Sequence, residues 1–539
     1  MPGLLLVGLI QPVLQGTAAA APADAAISAP DWGKAAAFGV SRAVRDLPRA
    51  AWRTDGPAVE RPERGPRVPD RGYGGDAALQ QSYASADAPV SDPIQNFEGI
   101  ANSDNPFLLS PPDPDGDVGP NHYVQMLNVS FSVYDKTGTT LTGPTDIGDL
   151  WAGFPITDCA DDSGDPIVLH DQIADRWMLT QFTTAGPEYW NCIALSTTAD
   201  PTGSYYLYAF STGENFPDYP KYGVWPNTYV ITTREFGPVD FFGDGVYALE
   251  REAMIAGDPD ARVVHFNLAP GTKPYLPGDG ILPSDFDGTI LPPAGSPVYF
   301  VGTQDDEGVY GAPYDAINVW QLLVRWRTNP HATFARTDQL RVPEFDSAFP
   351  CGTGRQCIDQ PDTKNKIDTL SYRQRPTWRL AYRNFGDHEA LVTNQSVEAR
   401  PGIAGVRWYE IRVADFDTSL YQAGTFAPPD GVNRWMGSVA LDKYGNMAGG
   451  YSVGSETVYP GIRYAGRAAG DPVGVFTRGE GSLIEGSGSQ TGSNRWGDYT
   501  SLHIDPVDDC TFWYTNEYYE TTSAVGWQTR IGSFTMPGC

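Results

Sequence analysis

Hydrophobic and aromatic residues recur along the chain in short alternating runs that are bounded by Asp, Asn, Gly and Pro. Residues 499–504 have the pattern of one β-strand, residues 505–509 that of a turn, and residues 511–519 that of a returning strand. The same plan follows Asn433-Arg434-Trp435 and Gly164-Asp165-Pro166. The pattern predicts repeated β-hairpins, each preceded by a short polar segment.

Looser copies of this plan start at residues 117, 222, 294 and 376. The hairpin starts are separated by roughly 50 to 80 residues, which leaves room for two further strands in each repeat. We therefore predict an all-β fold, a seven-bladed β-propeller of four-stranded blades, with six or eight blades as the alternatives.

The chain before the repeats differs in composition. An apolar run followed by Ala18-Ala19-Ala20-Ala21-Pro22 predicts a signal peptide over residues 1–21. Residues 22–90 are rich in Ala, Pro and Arg, which predicts a disordered N-terminal tail that serves as a linker or propeptide, before a propeller domain over residues 91–539. The basic tail could fold back on the acidic body as a removable cover, although a flexible spacer is the interpretation that we prefer.

Six cysteines agree with export, because an even number in an acidic, aromatic-rich chain is typical of disulfides. We pair Cys159 with Cys192, Cys351 with Cys357, and Cys510 with Cys539. The last pair would attach the C-terminus to the final hairpin. We expect a secreted protein, extracellular or periplasmic. No later run reaches the roughly 18 apolar residues of a membrane span, so no transmembrane segment is expected.

The formal net charge of −29 argues against a nucleic-acid partner, because phosphate binding requires a basic surface. We expect a monomer.

Three aspartates alternate around a glycine in Asp113-Pro114-Asp115-Gly116-Asp117. Carboxylates at such spacing can converge on one hard cation, so these residues are a candidate calcium site. The alternative is an Asp/Gly turn at the start of a blade.

The polar segments before the hairpins should meet, because the segments that enter the inner strands of a propeller gather at one mouth of the central channel. This placement makes Arg375, Arg434 and Arg495 candidate substrate-binding residues, since guanidinium groups bind carboxylates, sulfates and phosphates bidentately. In the alternative interpretation, each arginine braces its own blade. The neighbouring aromatic and acidic residues complete the candidate site: Trp435 and Trp496 for substrate binding, and Asp165, Asp498 and Tyr499 for proton transfer.

Export, a predicted propeller and arginines on converging segments together resemble the sialidase superfamily, which uses an arginine triad on the substrate carboxylate. The Ser-x-Asp-x-Gly-x-Thr-Trp run of sialidase blades is absent. Three sequence segments, residues 115–123, 164–169 and 495–499, are also similar to those of a group of exported bacterial propeller proteins of unassigned activity. The second resemblance covers roughly residues 99–539 and implies the fold more than any reaction.

Two functions follow from these expectations. The first is a secreted carbohydrate-active enzyme, a glycosidase or a polysaccharide lyase, that acts on an anionic extracellular glycan at the channel mouth. The second is a non-catalytic propeller that binds a glycan or a protein.

Overall fold

The computed structural model describes residues 27–51, 58–61, 73–83, 90–237, 241–271, 273–349, 351, 356–369 and 374–539. These residues form strands that are joined by turns and irregular segments, with little helix. The helical segments among them are the short helix α1 (Arg251–Ile255) and 3₁₀ turns at Val44–Asp46, Asn102–Asp104, Ile147–Trp151 and Thr157–Ala160.

Short strands come first in the chain. They are β1 (Asp31–Lys34), β2 (Ala37–Val40), β3 (Val59–Glu60), β4 (Gln95–Glu98) and β5 (Leu109–Ser110).

From β6 onward the strands form antiparallel groups of four, in which each strand pairs with its neighbour in sequence. The first groups are β6 (Asp115–Val118), β7 (His122–Leu127), β8 (Ser130–Asp135) and β9 (Thr140–Asp146); β10 (Val168–Asp171), β11 (Arg176–Phe182), β12 (Tyr189–Ser196) and β13 (Tyr205–Gly213); β14 (Phe216–Trp225), β15 (Thr228–Phe236), β16 (Phe241–Leu249) and β17 (Arg262–Leu268).

The later strands continue the same plan, with one small extra pair between two groups. They are β18 (Leu282–Asp287), β19 (Val298–Gln304), β20 (Ala316–Arg325) and β21 (His331–Arg341); the pair β22 (Gln356–Ile358) and β23 (Ile367–Asp368); β24 (Thr377–Asn384), β25 (Glu389–Arg400), β26 (Ile403–Ala414) and β27 (Asp417–Phe426); β28 (Asn433–Leu441), β29 (Met447–Gly454), β30 (Gly461–Arg467) and β31 (Arg478–Ile484); β32 (Ser501–Ile504), β33 (Phe512–Tyr518) and β34 (Gln528–Phe534).

The first strands of successive groups form a ring. Each of β6, β10, β14, β18, β24, β28 and β32 contacts the next, and β32 contacts β6. The last group takes its fourth strand from the N-terminal side, because β4 pairs with β34. Two neighbouring groups share one eight-stranded sheet through a parallel ladder between β18 and β24. The predicted all-β propeller is confirmed at this level.

The inner strands of the ring are more deeply buried than the outer strands. Every residue of β6, β10 and β32 is buried, whereas the outer strand β21 alternates between exposed and buried positions over its first half. An inner strand is therefore covered on both faces, and each polar group on it needs a partner inside the protein.

Side chains of one inner strand supply these partners to the next. The inner strands form few direct ladders with one another, so their free backbone N–H groups are bonded by buried carboxylates and hydroxyls. The acceptors are Asp115 Oδ2 for Val168 N (2.7 Å), Asp117 Oδ2 for His170 N (2.6 Å), Asp285 Oδ1 for Val224 N (3.0 Å), Ser438 Oγ for Leu502 N (3.1 Å) and Ser501 Oγ for Gly116 N (2.8 Å).

All three predicted disulfides are present. Cys159 pairs with Cys192, Cys351 with Cys357, and Cys510 with Cys539, so no cysteine is free.

The predicted disorder of the N-terminal tail is wrong for residues 27–51. Strand β1 pairs with β17 and β2 pairs with β13, so each extends a four-stranded group at its outer edge. Backbone hydrogen bonding to an exposed sheet edge compensates for the low hydrophobicity of this segment, a tertiary contribution that composition does not show. Residues 73–83 are also ordered, and Asp76 forms a buried ion pair with Arg407.

The predicted signal peptide, residues 1–21, lies outside the described residues, and the domain boundaries stay predictions. Within the part of the chain that the structure describes, no helix has the length and apolar character to cross a membrane.

Replacing Ser501 by Ala tests the ring closure. Ser501 is fully buried, and its Oγ accepts a hydrogen bond from Gly116 N and donates one to Gly116 O, both at 2.8 Å. The substitution leaves both backbone groups without a partner, so we expect the free energy of unfolding to fall by about 1 to 3 kcal/mol in urea titrations. The exposed Ser487→Ala is the control and should change it by less than about 0.5 kcal/mol. Equal effects of the two substitutions would contradict this role.

Candidate active site

The polar segments before three inner strands meet at one end of the ring. Asp113 precedes β6, Asp165 precedes β10 and Asp498 precedes β32. Asp498 N donates a hydrogen bond to Asp113 Oδ1 at 2.6 Å, and Tyr219 N, from β14, donates to Asp165 Oδ2 at 3.2 Å. Four neighbouring groups therefore contribute to one cluster of residues, which we call the mouth cluster.

Asn128 connects two of these aspartates. Its Nδ2 donates to Asp113 Oδ2 at 2.7 Å, and its Oδ1 accepts from Asp165 N at 2.8 Å. Because the amide is fully buried and hydrogen-bonded on both sides, it fixes the separation of the two acidic segments.

The backbone is strained where the segments enter the ring. Asp113, Asp165, Tyr219 and Gln374 all have positive φ, at 48°, 46°, 52° and 49°. Such angles are costly for residues other than glycine and persist where the surrounding structure enforces them. A left-handed backbone conformation thus recurs at four points at or near the start of inner strands.

Lys221 lies at the base of the mouth cluster. Its Nζ is 3.6 Å from the centroid of the Tyr219 ring and 3.9 Å from that of Tyr499, and it donates to Pro220 O at 2.9 Å. The ammonium group is fully buried, so the two aromatic faces replace much of its hydration.

Burial shifts the protonation of these groups toward their neutral forms. It raises the pKa of Asp113 to about 7, with the negative charge of Asp498 acting in the same direction. Burial, followed by the charges of Asp113 and Asp218, raises the pKa of Asp165 well above its usual range. Burial also lowers the pKa of Lys221 to about 7, although Asp165 opposes this change. Burial therefore favours the neutral forms of these two acids and this base, a pattern that is common at functional sites.

The three arginines do not form one anion site. Arg375 and Arg495 approach the mouth cluster: the Arg375 guanidinium is 3.6 Å from the Tyr219 ring centroid, and Arg495 Nη2 donates to Asp498 Oδ1 at 2.6 Å. Arg434 instead pairs within its own group, with Asp430 and Glu480, both at 2.7 Å. The predicted convergence is wrong for Arg434, because carboxylates of its own blade compensate its buried charge.

The predicted roles of two tryptophans are also wrong. Trp435 and Trp496 are fully buried and pack against each other with ring centroids 5.6 Å apart. They belong to the hydrophobic core, so neither ring is available to a ligand.

Tyr499 lies in the mouth cluster but is not suited to proton transfer. Burial, followed by the charge of Asp165, raises the pKa of its phenol well above the usual value. Its hydroxyl donates to Pro166 O at 2.8 Å. The phenol is therefore neutral and already hydrogen-bonded, and its observed contribution is the aromatic face under Lys221.

The carboxylates of Asp113, Asp115 and Asp117 do not form one set of metal ligands. Their oxygens are absent from the groups of described side chains whose ligand atoms lie within 4.8 Å of one another. Asp115 and Asp117 accept hydrogen bonds from the next inner strand, while Asp113 takes part in the mouth cluster. The geometry favours the turn and bracing alternative at this segment.

Sequence reasoning missed Asn128, Tyr219 and Lys221. Tyr219 and Lys221 could have been found, because they lie in the three residues before Tyr222, where a hairpin is predicted to start. Asp165 and Asp498 were selected for the same position before a hairpin. Asn128 follows β7 in a turn and carries no signal of its own.

No protein-family model and no curated protein matches this sequence. Among solved structures, the chain is similar to a thermostable family-43 glycoside hydrolase, with 10% identity over 65% of this chain and 98% of that one, and a TM-score of 0.32. Penicillium chrysogenum α-L-arabinanase complexed with arabinobiose has 10% identity over 67% and 90% of the two chains, with a TM-score of 0.33. Trypanosoma rangeli sialidase in complex with sialic acid has 9% identity over 69% and 54%, with a TM-score of 0.32. Likenesses of this size assign the chain to no family.

Replacing Asp113 by Asn tests the electrostatics of the mouth cluster. The pKa of this carboxyl is raised from 3.8 to about 7 on folding, so the folded state binds its proton more tightly. Its contribution to stability is complete below about pH 4 and is lost as the pH rises through about 7. The wild-type free energy of unfolding should thus fall more steeply over this range than that of the variant, by up to about 1.4 kcal/mol per pH unit.

Urea titrations between pH 4 and pH 8 measure this difference. The exposed Asp260→Asn is the control and should keep the wild-type slope. Equal slopes for the wild type and the Asp113 variant would contradict the raised pKa.

Proposed function

We propose that the chain is a secreted carbohydrate-active enzyme, a glycosidase, that acts on an extracellular glycan at the mouth of a seven-bladed propeller. The observation that carries the proposal is the convergence of Asp113, Asp165 and Asp498 from separate groups around buried Lys221. Glycoside hydrolysis needs a carboxylic acid that is protonated near neutral pH and a second carboxylate beside it.

Asp165 is the general acid in this proposal. Its raised pKa keeps a proton available, and Asp165 and Asp498 are less deeply buried than Asp113. Asp498 supplies the second carboxylate and is oriented by Arg495. Asn128 and Tyr219 hold Asp113 and Asp165 in place without touching the substrate.

Elimination is the competing chemistry at the same site. A polysaccharide lyase needs a base to remove a proton next to a uronic carboxylate, and Lys221, with its pKa lowered to about 7, is the group that serves. A product that carries a new carbon–carbon double bond would identify a lyase, and a product without one a glycosidase.

An anionic glycan is the substrate class that we propose. Arg375 supports it, since its guanidinium stacks on Tyr219 beside the carboxylates and would bind a sugar carboxylate or sulfate. Secretion, the monomeric state and the absence of a nucleic-acid partner stay predictions. Calcium binding also stays a prediction.

A second candidate is a non-catalytic binding propeller. It is favoured by the full set of protein donors around Asp113, whose two carboxyl oxygens accept from Asp498 N and Asn128 Nδ2. A carboxyl bonded in this way can serve only to order the mouth for a glycan or protein ligand.

Replacing Asp165 by Asn separates the two candidates. The amide is nearly isosteric but cannot give up a proton to the leaving group, so turnover should fall on the order of 10² to 10⁴-fold while ligand binding persists. Reducing-end release from a panel of acidic and neutral polysaccharides gives turnover, and calorimetry gives binding. Asp260→Asn should retain both. Unchanged turnover in the Asp165 variant would contradict the proposal, and a wild type that binds a glycan without turnover would favour the second candidate.

Replacing Arg375 by Lys tests the anionic substrate class. The charge is kept but the planar fork is lost, so binding of an acidic oligosaccharide should weaken by about 1.5 to 3 kcal/mol. Arg434→Lys is the matched control, since Arg434 is equally buried and pairs away from the mouth; affinity should not change in the folded variant. Equal losses of affinity in both variants, or none in either, would contradict a contact between Arg375 and the anion.

A further inference from the structure

A short piece of the N-terminal tail crosses the mouth cluster. Strand β3 pairs in parallel with β5, and Val59 aligns with Leu109 and Glu60 with Ser110. Because β5 leads directly to Asp113, this ladder places residues 59–61 beside the acidic segment that enters the first inner strand.

Side chains and backbone from two other groups hold the same piece. Ser493 Oγ donates to Glu60 Oε2 at 2.8 Å, and Arg495 Nη1 donates to Arg61 O at 2.7 Å. The Arg61 guanidinium contacts a third segment, where its Nη2 donates to Asp162 O at 2.8 Å. Residues 59–61 are therefore anchored to three of the segments that surround the mouth.

The Arg61 guanidinium extends into the acidic cluster. Its Nε lies 3.9 Å from the point where a Cβ on Gly164 would stand, next to Asp165. The Nε atom is buried and makes no hydrogen bond. Burial lowers the pKa of Arg61, while the charges of Asp165 and Asp113 oppose this change. A buried cation with an unused donor beside the proposed general acid occupies space that a substrate would need.

We propose that residues 59–61 form an autoinhibitory strap that closes the mouth, with Arg61 occupying the acidic cluster until the strap is displaced. The regulatory role rests on the proposed function, because it concerns access to the same site. The strap is attached by backbone pairing to one two-residue strand and by a few partly buried hydrogen bonds, so it can leave while the sheets stay intact.

Lys221 offers a measure of opening that does not depend on catalysis. Its Nζ is fully buried beneath the mouth and its lowered pKa makes the amine reactive once a reagent reaches it. Pulse labelling of the native full-length chain with an N-hydroxysuccinimidyl acetate reagent, followed by peptide mass spectrometry, gives its rate of acetylation. Exposed Lys34 in the same sample is the internal reference.

Two variants open the strap in different ways. Arg61→Ala removes the guanidinium, and Val59→Pro removes the N–H that donates to Leu108 O at 2.8 Å. Val59 is 41% exposed, so neither substitution alters the hydrophobic core, and either variant decides the question if the other does not fold. Exposed Arg45→Ala, elsewhere in the tail, is the control.

We expect Lys221 to be acetylated faster in both variants than in the wild type, on the order of tenfold for Arg61→Ala, which loses a charged hydrogen bond, and about fivefold for Val59→Pro, which loses a neutral one. Wild-type rates in both variants, or an equal rise in the Arg45 control, would overturn the strap. Faster labelling without turnover of any glycan would support the strap and contradict the proposed function. Glycan turnover without faster labelling would support the proposed function and contradict the strap.

Discussion

The structure depends on how buried inner strands satisfy their polar groups. Strands at the centre of the ring are covered on both faces and form few ladders with one another, so their N–H groups must find side-chain acceptors. Asp115, Asp117, Asp285, Ser438 and Ser501 are those acceptors, and each bonds the backbone of a neighbouring inner strand. Short acidic and hydroxyl side chains thus accept the hydrogen bonds that backbone carbonyls of a neighbouring strand would accept in a continuous sheet.

The same requirement explains the chemistry of the mouth. Four residues at or near the start of inner strands take positive φ, and two of them are Asp113 and Asp165. Asp113, Asp165 and Asp498 come together there, where the charge of Asp498 disfavours ionisation of Asp113, and the charges of Asp113 and Asp498 disfavour ionisation of Asp165. Carboxylates that share a buried site raise one another's pKa toward neutral pH. A group that transfers protons at neutral pH needs a pKa in this range. The scaffold and the mouth cluster therefore both use buried carboxylates that accept backbone hydrogen bonds.

Much of the fold could be predicted from the sequence, because hairpin periodicity and turn residues are local signals. The disulfides followed from cysteine positions, and the convergence of Asp165 and Asp498 from their common place before a hairpin, whereas Asp113 was expected to be a metal ligand. The pairing of Arg434 with Glu480 and the burial of Trp435 and Trp496 could not be predicted, since an outer strand 46 residues away supplies the acceptor and the core decides which aromatic faces are covered. Nor does tail composition show that residues 31–34 and 37–40 extend two sheets, because their partners are edge strands distant in sequence.

The central claim is that Asp113 and Asp165 belong to one electrostatic unit, and a double-mutant cycle tests it most directly. Urea titrations at pH 8 would give the free energies of unfolding of Asp113→Asn, Asp165→Asn and the double variant. If the two carboxyls share one buried site, each single substitution relieves the same repulsion, so the double variant should differ from the sum of the single effects by at least about 1 kcal/mol. Additivity to within about 0.5 kcal/mol would show that the two carboxyls act independently and would contradict the account.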